Sequence, residues 1–114
     1  MTPGREKTWR GCAVVRVRHV VVWQLAGESV SEKKSRFDAL QPDLEALVGV
    51  VPGLLAVSVS FSTGPNPKNW DMCLISDHDS WEALEGYANH PAHLEVAARL
   101  AQNTLARAGA GFDI

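Results

Sequence analysis

Between positions 14 and 25 the chain reads Val-Val-Arg-Val-Arg-His-Val-Val-Val-Trp-Gln-Leu. β-Branched side chains crowd a helix and fit a pleated surface, so the segment predicts a strand over 14–25. Alternation sets Val17, His19, Val21, Trp23 and Leu25 on one face and Arg18, Val20, Val22 and Gln24 on the other. Both faces are apolar at the centre, the pattern of a strand covered on two sides. Beyond a loop at 26–31, Phe37, Leu40, Leu44, Leu47, Val48 and Val51 recur at helical spacing, with Ser31 placed to cap the helix. Pro42 predicts a kink there, or a restart with proline at the first helical position. Gly49 and the Pro52-Gly53 pair end the element.

A second strand spans 54–62, setting Leu55, Val57, Val59 and Phe61 against Ala56, Ser58, Ser60 and Ser62. Thr63-Gly-Pro-Asn-Pro-Lys-Asn69 is a loop. A third strand over 70–77 sets Trp70, Met72, Leu74 and Ser76 against Asp71, Cys73, Ile75 and Asp77. Asp79-Ser-Trp-Glu82 has the form of a capping box and opens a short helix with Trp81, Leu84 and Tyr87 or Ala88 inside. His90-Pro91 breaks it, and Pro91 starts a further helix expected to run to about Ala108. Gly109 and Gly111 end that helix, leaving Phe112–Ile114 as a short last strand. The order β-α-β-β-α(α)-β is that of a ferredoxin-like α+β sandwich, a four-stranded antiparallel sheet with helices on one face. The other face stays bare although strands one and three are apolar on both sides, which predicts a homodimer through the open sheet face.

Composition narrows the function classes. The 114 residues suffice for one domain with a real core. The Pro-Gly pair and mixed charges of residues 1–13 predict a flexible N-terminal arm, with the domain at 14–114. Eleven basic against thirteen acidic residues give a net charge of −2, with no basic surplus to hold nucleic acid. The first residues lack the apolar run of a signal peptide, and no window of about 18 apolar residues exists to span a membrane. With Cys12 and Cys73 read as free thiols, these features point to the cytoplasm. Four histidines and one tyrosine make a short roster of groups able to move protons near neutral pH.

Val17-Arg-His-Val-Val-Val-Trp23, Val50-Val-Pro-Gly-Leu54 and Asp79-Ser-Trp-Glu-Ala-Leu-Glu-Gly-Tyr-Ala-Asn-His-Pro-Ala-His93 resemble the stress-responsive A/B barrel (Dabb) family. The resemblance covers residues 17–114 and implies a dimeric α+β barrel. That family includes stress and defence proteins without a clear reaction, and polyketide cyclases of the olivetolic acid cyclase type. Similarity to those cyclases implies that His93 is a general base and that Tyr87 holds a substrate carbonyl. It implies that His19 lines the pocket. Met72 stands where the cyclases carry a further pocket histidine, and Thr104 near an aromatic position. Together with the inner strand faces, the expected binding wall is His19, Val21, Trp23, Met72, Leu74 and Val96.

The chemistry of these residues agrees with that assignment. As the third residue of a helix opened by Pro91, His93 lies at the positive end of the helix, which keeps its ring a neutral base. A phenol such as Tyr87 is a suitable donor to a developing enolate oxygen. Each residue also has a structural reading. His90 caps a helix, His90 and His93 tie two helices together, Tyr87 packs in the core, His19 fills an interface, and His78 is a solvated strand end between two aspartates. His90-x-x-His93 has a ligand-like spacing, but proline holds His90 out of the helix and no further Cys or His completes a set, so neither metal nor cofactor is expected. Cys73, in mid-strand, reads as an inert thiol. The expected partner is a small hydrophobic or aromatic carbonyl compound. The readings that remain are a cofactor-independent cyclase or aldol-type enzyme, a non-catalytic stress-response or hydrophobic-ligand-binding homodimer, and a cofactor-free oxygenase of the same superfamily.

Overall fold

A computed structural model describes residues 15–114, so the arm expected at the N-terminus, with Trp9 and Cys12, lies outside the described residues. The elements are β1 (Val17–Leu25), α1 (Val30–Glu45), β2 (Leu54–Phe61), β3 (Met72–His78), α2 (Trp81–Asn89), α3 (Pro91–Asn103) and β4 (Thr104–Asp113). The strands form one antiparallel sheet in the order β2-β3-β1-β4, the ferredoxin-like topology. Alternation along the two central strands drives the packing. Val17, Val21, Trp23 and Leu25 of β1 and Met72, Leu74, Ser76 and His78 of β3 are all buried on the face that meets the helices. Phe37, Leu40 and Leu44 of α1, Tyr87 of α2, and Val96 and Leu100 of α3 close the core from above. Each such side chain contributes roughly 1.5–3 kcal/mol by leaving water.

The cap of α1 lies two residues before the expected one. Ser29 is extended and its Oγ accepts the Glu32 N–H at 3.1 Å, so the signal is Ser29-x-x-Glu32 rather than Ser31. Pro42 neither ends nor restarts the helix; the Pro42 carbonyl accepts the Ala46 N–H at 2.9 Å as the ladder runs on. The turn after α1 carries Gly49 and Gly53 at φ +89° and +81°. At Gly53 a Cβ would stand 2.6 Å from the Cβ of Ala83, so the start of α2 rests directly on this glycine. A bulge at Leu54/Ala56 brings Leu54 inward beside Val57 and Val59 and leaves Leu55 39% exposed, against the strict alternation expected for β2.

The largest departure is at the C-terminus. The last helix stops at Asn103, and Thr104–Asp113 form a ten-residue strand where a helix to 108 and a short strand at 112–114 were expected. The Thr104 hydroxyl donates to the Leu100 carbonyl and the Asn103 amide to the Arg99 carbonyl, both at 2.8 Å, so side chains finish the helix. β4 then pairs with β1 along its whole length, with an irregularity at Gln24/Leu25. Pairing the open edge of a central strand outweighs the poor strand propensity of an Ala/Gly run.

The opposite face of the sheet carries Val20 and Val22, half-buried, with Ile75 39% and Phe112 45% exposed. Arg18 crosses it to Asp77 with two hydrogen bonds of 2.8 and 3.0 Å. No helix among the described residues is long and apolar enough to cross a membrane.

Candidate functional site

The corner between α2 and α3 organises the site. His90 ends one helix and caps the next, with extended backbone angles and its Nδ1 accepting the Ala92 N–H at 3.0 Å. Its structural reading is the observed one. Pro91 takes the first helical position, where its missing N–H costs nothing. His93, two residues on, turns its ring back across the corner. Its Nδ1 lies 3.2 Å from the Ala88 carbonyl, which can only accept, so Nδ1 carries the proton. Nε2 is then the basic nitrogen of a neutral ring. Burial holds the His93 pKa below the ordinary histidine value, opposed by the Ala88 hydrogen bond and reinforced by the positive charge of Arg107.

Tyr87, from the last turn of α2, is 5% exposed and lies between two imidazoles. Its ring centroid is 4.2 Å from that of His93 and 5.0 Å from that of His78. No protein group among the described residues is hydrogen-bonded to its hydroxyl. Burial pushes the phenol up to about 12, so at neutral pH it stays a donor. His78 is not a solvated strand end. It is fully buried, because the period-two pattern of Met72, Leu74 and Ser76 carries it onto the inner face. Its Nε2 meets the Ser76 hydroxyl at 2.9 Å, its Nδ1 is buried with no partner among the described residues, and burial pulls its pKa down to about 4.

Between the sheet and helices α2 and α3 lies a cavity of about 410 Å³. Of the eight residues expected at the site, His19, Val21, Trp23, Leu74, Tyr87 and His93 line it. Met72 and Val96 do not. Met72 lies on the inner face between Trp23 and Phe61, towards β2, while the cavity opens towards β4. Val96 is buried in the core, and its neighbour Ala97 faces the cavity with Leu100, Ala101 and Thr104. Leu44, Leu84, Ala88, Leu105 and Ala106 complete an apolar wall. The sequence reading missed Arg107, which lines the cavity from β4 and is opposite Trp23 in the register. A long helix expected through position 108 hid the alternation that aims this residue inward. His19 has its pKa lowered, by burial first and then by Arg107 and His93. Among the described residues, no three or more His, Cys, Asp and Glu side chains are grouped to hold a metal ion.

The family model for the stress responsive A/B barrel domain matches residues 17–109. The chain belongs to this family. Solved structures similar to this A/B barrel domain include a dimeric ferredoxin-like protein of unknown function from Bacteroides fragilis, at 25% identity and a TM-score of 0.78, covering 87% of this chain and 96% of that one. A hydroxynitrile lyase from Passiflora edulis has 16% identity and a TM-score of 0.73, covering 87% and 93%. SnoaB, a cofactor-independent oxygenase from Streptomyces nogalater, has 15% identity and a TM-score of 0.68, covering 86% and 91%. No curated protein matches the sequence.

Proposed function

We propose that this A/B barrel protein is a cofactor-independent enzyme of the aldol or cyclase type, acting on a polyketide-like or aromatic carbonyl substrate. The observation that carries the reading is the pairing of a neutral His93, its Nε2 unprotonated, with the phenol of Tyr87 on one apolar cavity wall. Nε2 of His93 removes a proton from the carbon next to a carbonyl, and the electron pair moves onto that carbonyl oxygen. The Tyr87 hydroxyl donates a hydrogen bond to the resulting enolate oxygen. The enolate carbon attacks a second carbonyl of the same molecule, forming the new carbon–carbon bond. The alkoxide so produced takes back the proton held by His93. His19, Val21, Trp23 and Leu74 hold the apolar body of the substrate.

The protein works as a cytoplasmic homodimer in which the outer sheet faces meet and cover Val20, Val22, Ile75 and Phe112. A lyase and a cofactor-independent oxygenase on the same fold support an enzymatic use of the cavity.

The test compares turnover of a panel of aryl diketones and linear polyketone mimics by wild type, His93→Ala and Tyr87→Phe. Loss of turnover in His93→Ala is expected, and equal rates exclude His93 as the base. A wild type that is thermally stabilised by the panel and converts none of it is a ligand-binding homodimer instead.

A further inference from the structure

Among the described residues, Arg107 is the one charged side chain on the cavity wall. Among the described residues it makes neither an ion pair nor a hydrogen bond, whereas Arg18, Lys33, Lys34 and Arg99 are each paired to an aspartate. Among the described residues, no aspartate or glutamate lines the cavity, and the remaining polar groups are His19, Tyr87, His93 and Thr104. The Thr104 hydroxyl already donates to Leu100. Arg107 is exposed, so the guanidinium brings an uncompensated positive charge to the rim of a space with apolar walls, where an opposite charge is attracted more strongly than in open water.

Its position is fixed by the strand beneath it. Arg107 and Gly109 share the inner face of β4, and a Cβ built at Gly109 would lie 3.5 and 3.6 Å from the two terminal guanidinium nitrogens. The side chain thus lies flat along β4, from the level of Trp23 towards the level of Val21. The next inner-face position is Gly111, opposite His19.

We propose that the ligand of this cavity is a hydrophobic carboxylic acid, anchored by a two-point contact between its carboxylate and the guanidinium of Arg107. A guanidinium presents paired N–H donors at the spacing of a carboxylate's two oxygens, and no other described group on the wall carries a permanent positive charge. The acid's apolar body then lies against Val21, Trp23 and Leu74, with any carbonyl it carries directed to Tyr87 and His93. The inference names the substrate class for the enzymatic reading given above and rests on it for the role of the bound molecule. The recognition itself is tested by binding alone.

The experiment titrates the intact protein by calorimetry with 4-phenylbutanoate and with its neutral isostere 4-phenylbutanamide. The acid is expected to bind about tenfold or more tightly than the amide, the ratio for one charge-assisted contact. Arg107→Gln abolishes that ratio and Arg107→Lys retains part of it. Added salt reduces the ratio in wild type. Equal affinity for acid and amide, or no binding of either, overturns the proposal, as does an acid preference that survives Arg107→Gln. The same titration on His93→Ala separates the two readings. Acid preference with no turnover of any carbonyl acid leaves the recognition standing and removes the reaction. Turnover of neutral ketones without acid preference does the reverse.

Discussion

The rings of Tyr87 and His93 lie 4.2 Å apart, at an angle of 45°, across the corner formed by His90 and Pro91. Neither residue is placed by a loop. Tyr87 is fixed by the last turn of one helix and His93 by the first turn of the next, and the His90 cap sets the angle between them. A base and a donor are therefore held on rigid elements with little rotameric freedom to lose when a substrate binds.

His93→Gln keeps a polar side chain of similar reach and removes the base. Turnover is expected to fall by about 10²–10⁴-fold, the usual worth of a positioned base. Tyr87→Phe leaves the ring packing intact and removes only the donor, with a loss of about 10²-fold or more in kcat. Steady-state kinetics with matched melting temperatures checks both.

The pH dependence follows from the neutral ring. Burial and Arg107 hold the His93 pKa below the ordinary value of 6.5, so the base stays unprotonated down to pH values where a free histidine is charged. The acid limb of kcat/KM is expected below 6.5, with a plateau through neutrality. Arg107→Gln moves the limb upward. A limb at or above 6.5 in wild type would contradict the assignment.

Stability has its own pH signature. His78 titrates near 4 in the fold and near 6.5 in the unfolded chain. Between these values the unfolded state binds a proton that the native state refuses, so stability falls as the pH drops from 6.5 to 4. The loss from this residue is about 3 kcal/mol, and His19 and His93 act in the same direction. Urea melts across this range check the slope. The double variant Ser76→Ala/His78→Leu is expected to flatten it.

Gly53→Ala tests the joint between the turn after α1 and the start of α2. The substitution meets Ala83 at 2.6 Å and forces φ +81° on a residue with a Cβ. A destabilisation of about 2 kcal/mol or more is expected. Gly49→Ala, at φ +89° in open space, should cost only the backbone part. Thermal denaturation of the pair separates steric from conformational cost.

Ile75→Asp sets a charge in the middle of the outer sheet face, next to Val20 in the register. Sedimentation velocity is expected to give a dimer for wild type and a monomer for the variant. A monomeric wild type at micromolar concentration would remove the dimer from the proposal.

Much of the fold was legible because its signals are local. Period-two alternation gave the inner faces of β1 and β3, and His90-Pro91 marked the corner. The largest error comes from pairing over long distances in sequence. Residues 104–111 are rich in Ala and Gly and carry no strand signal of their own; they become a strand because β1 offers an open edge. With β4 hidden, so was Arg107. His78 was read from its aspartate neighbours, although the alternation from Met72 already pointed it inward. At the site, local chemistry described what His93 and Tyr87 can do, and the likeness to a family was needed to single them out. Met72 was placed on the correct face of the sheet, but a face is wider than a cavity.

The two glycines on the inner face of β4 set where the charge in the cavity rests. Gly109 leaves the room in which the Arg107 guanidinium lies flat, and Gly111 does the same for His19 and Trp81. Neither glycine lines the cavity, and neither belongs to the core. A bulkier residue at 109 would lift the cation off the strand and into the cavity without disturbing a packed side chain. Selectivity among ligands can therefore drift, or be engineered, from an edge strand whose side chains supply none of the buried core.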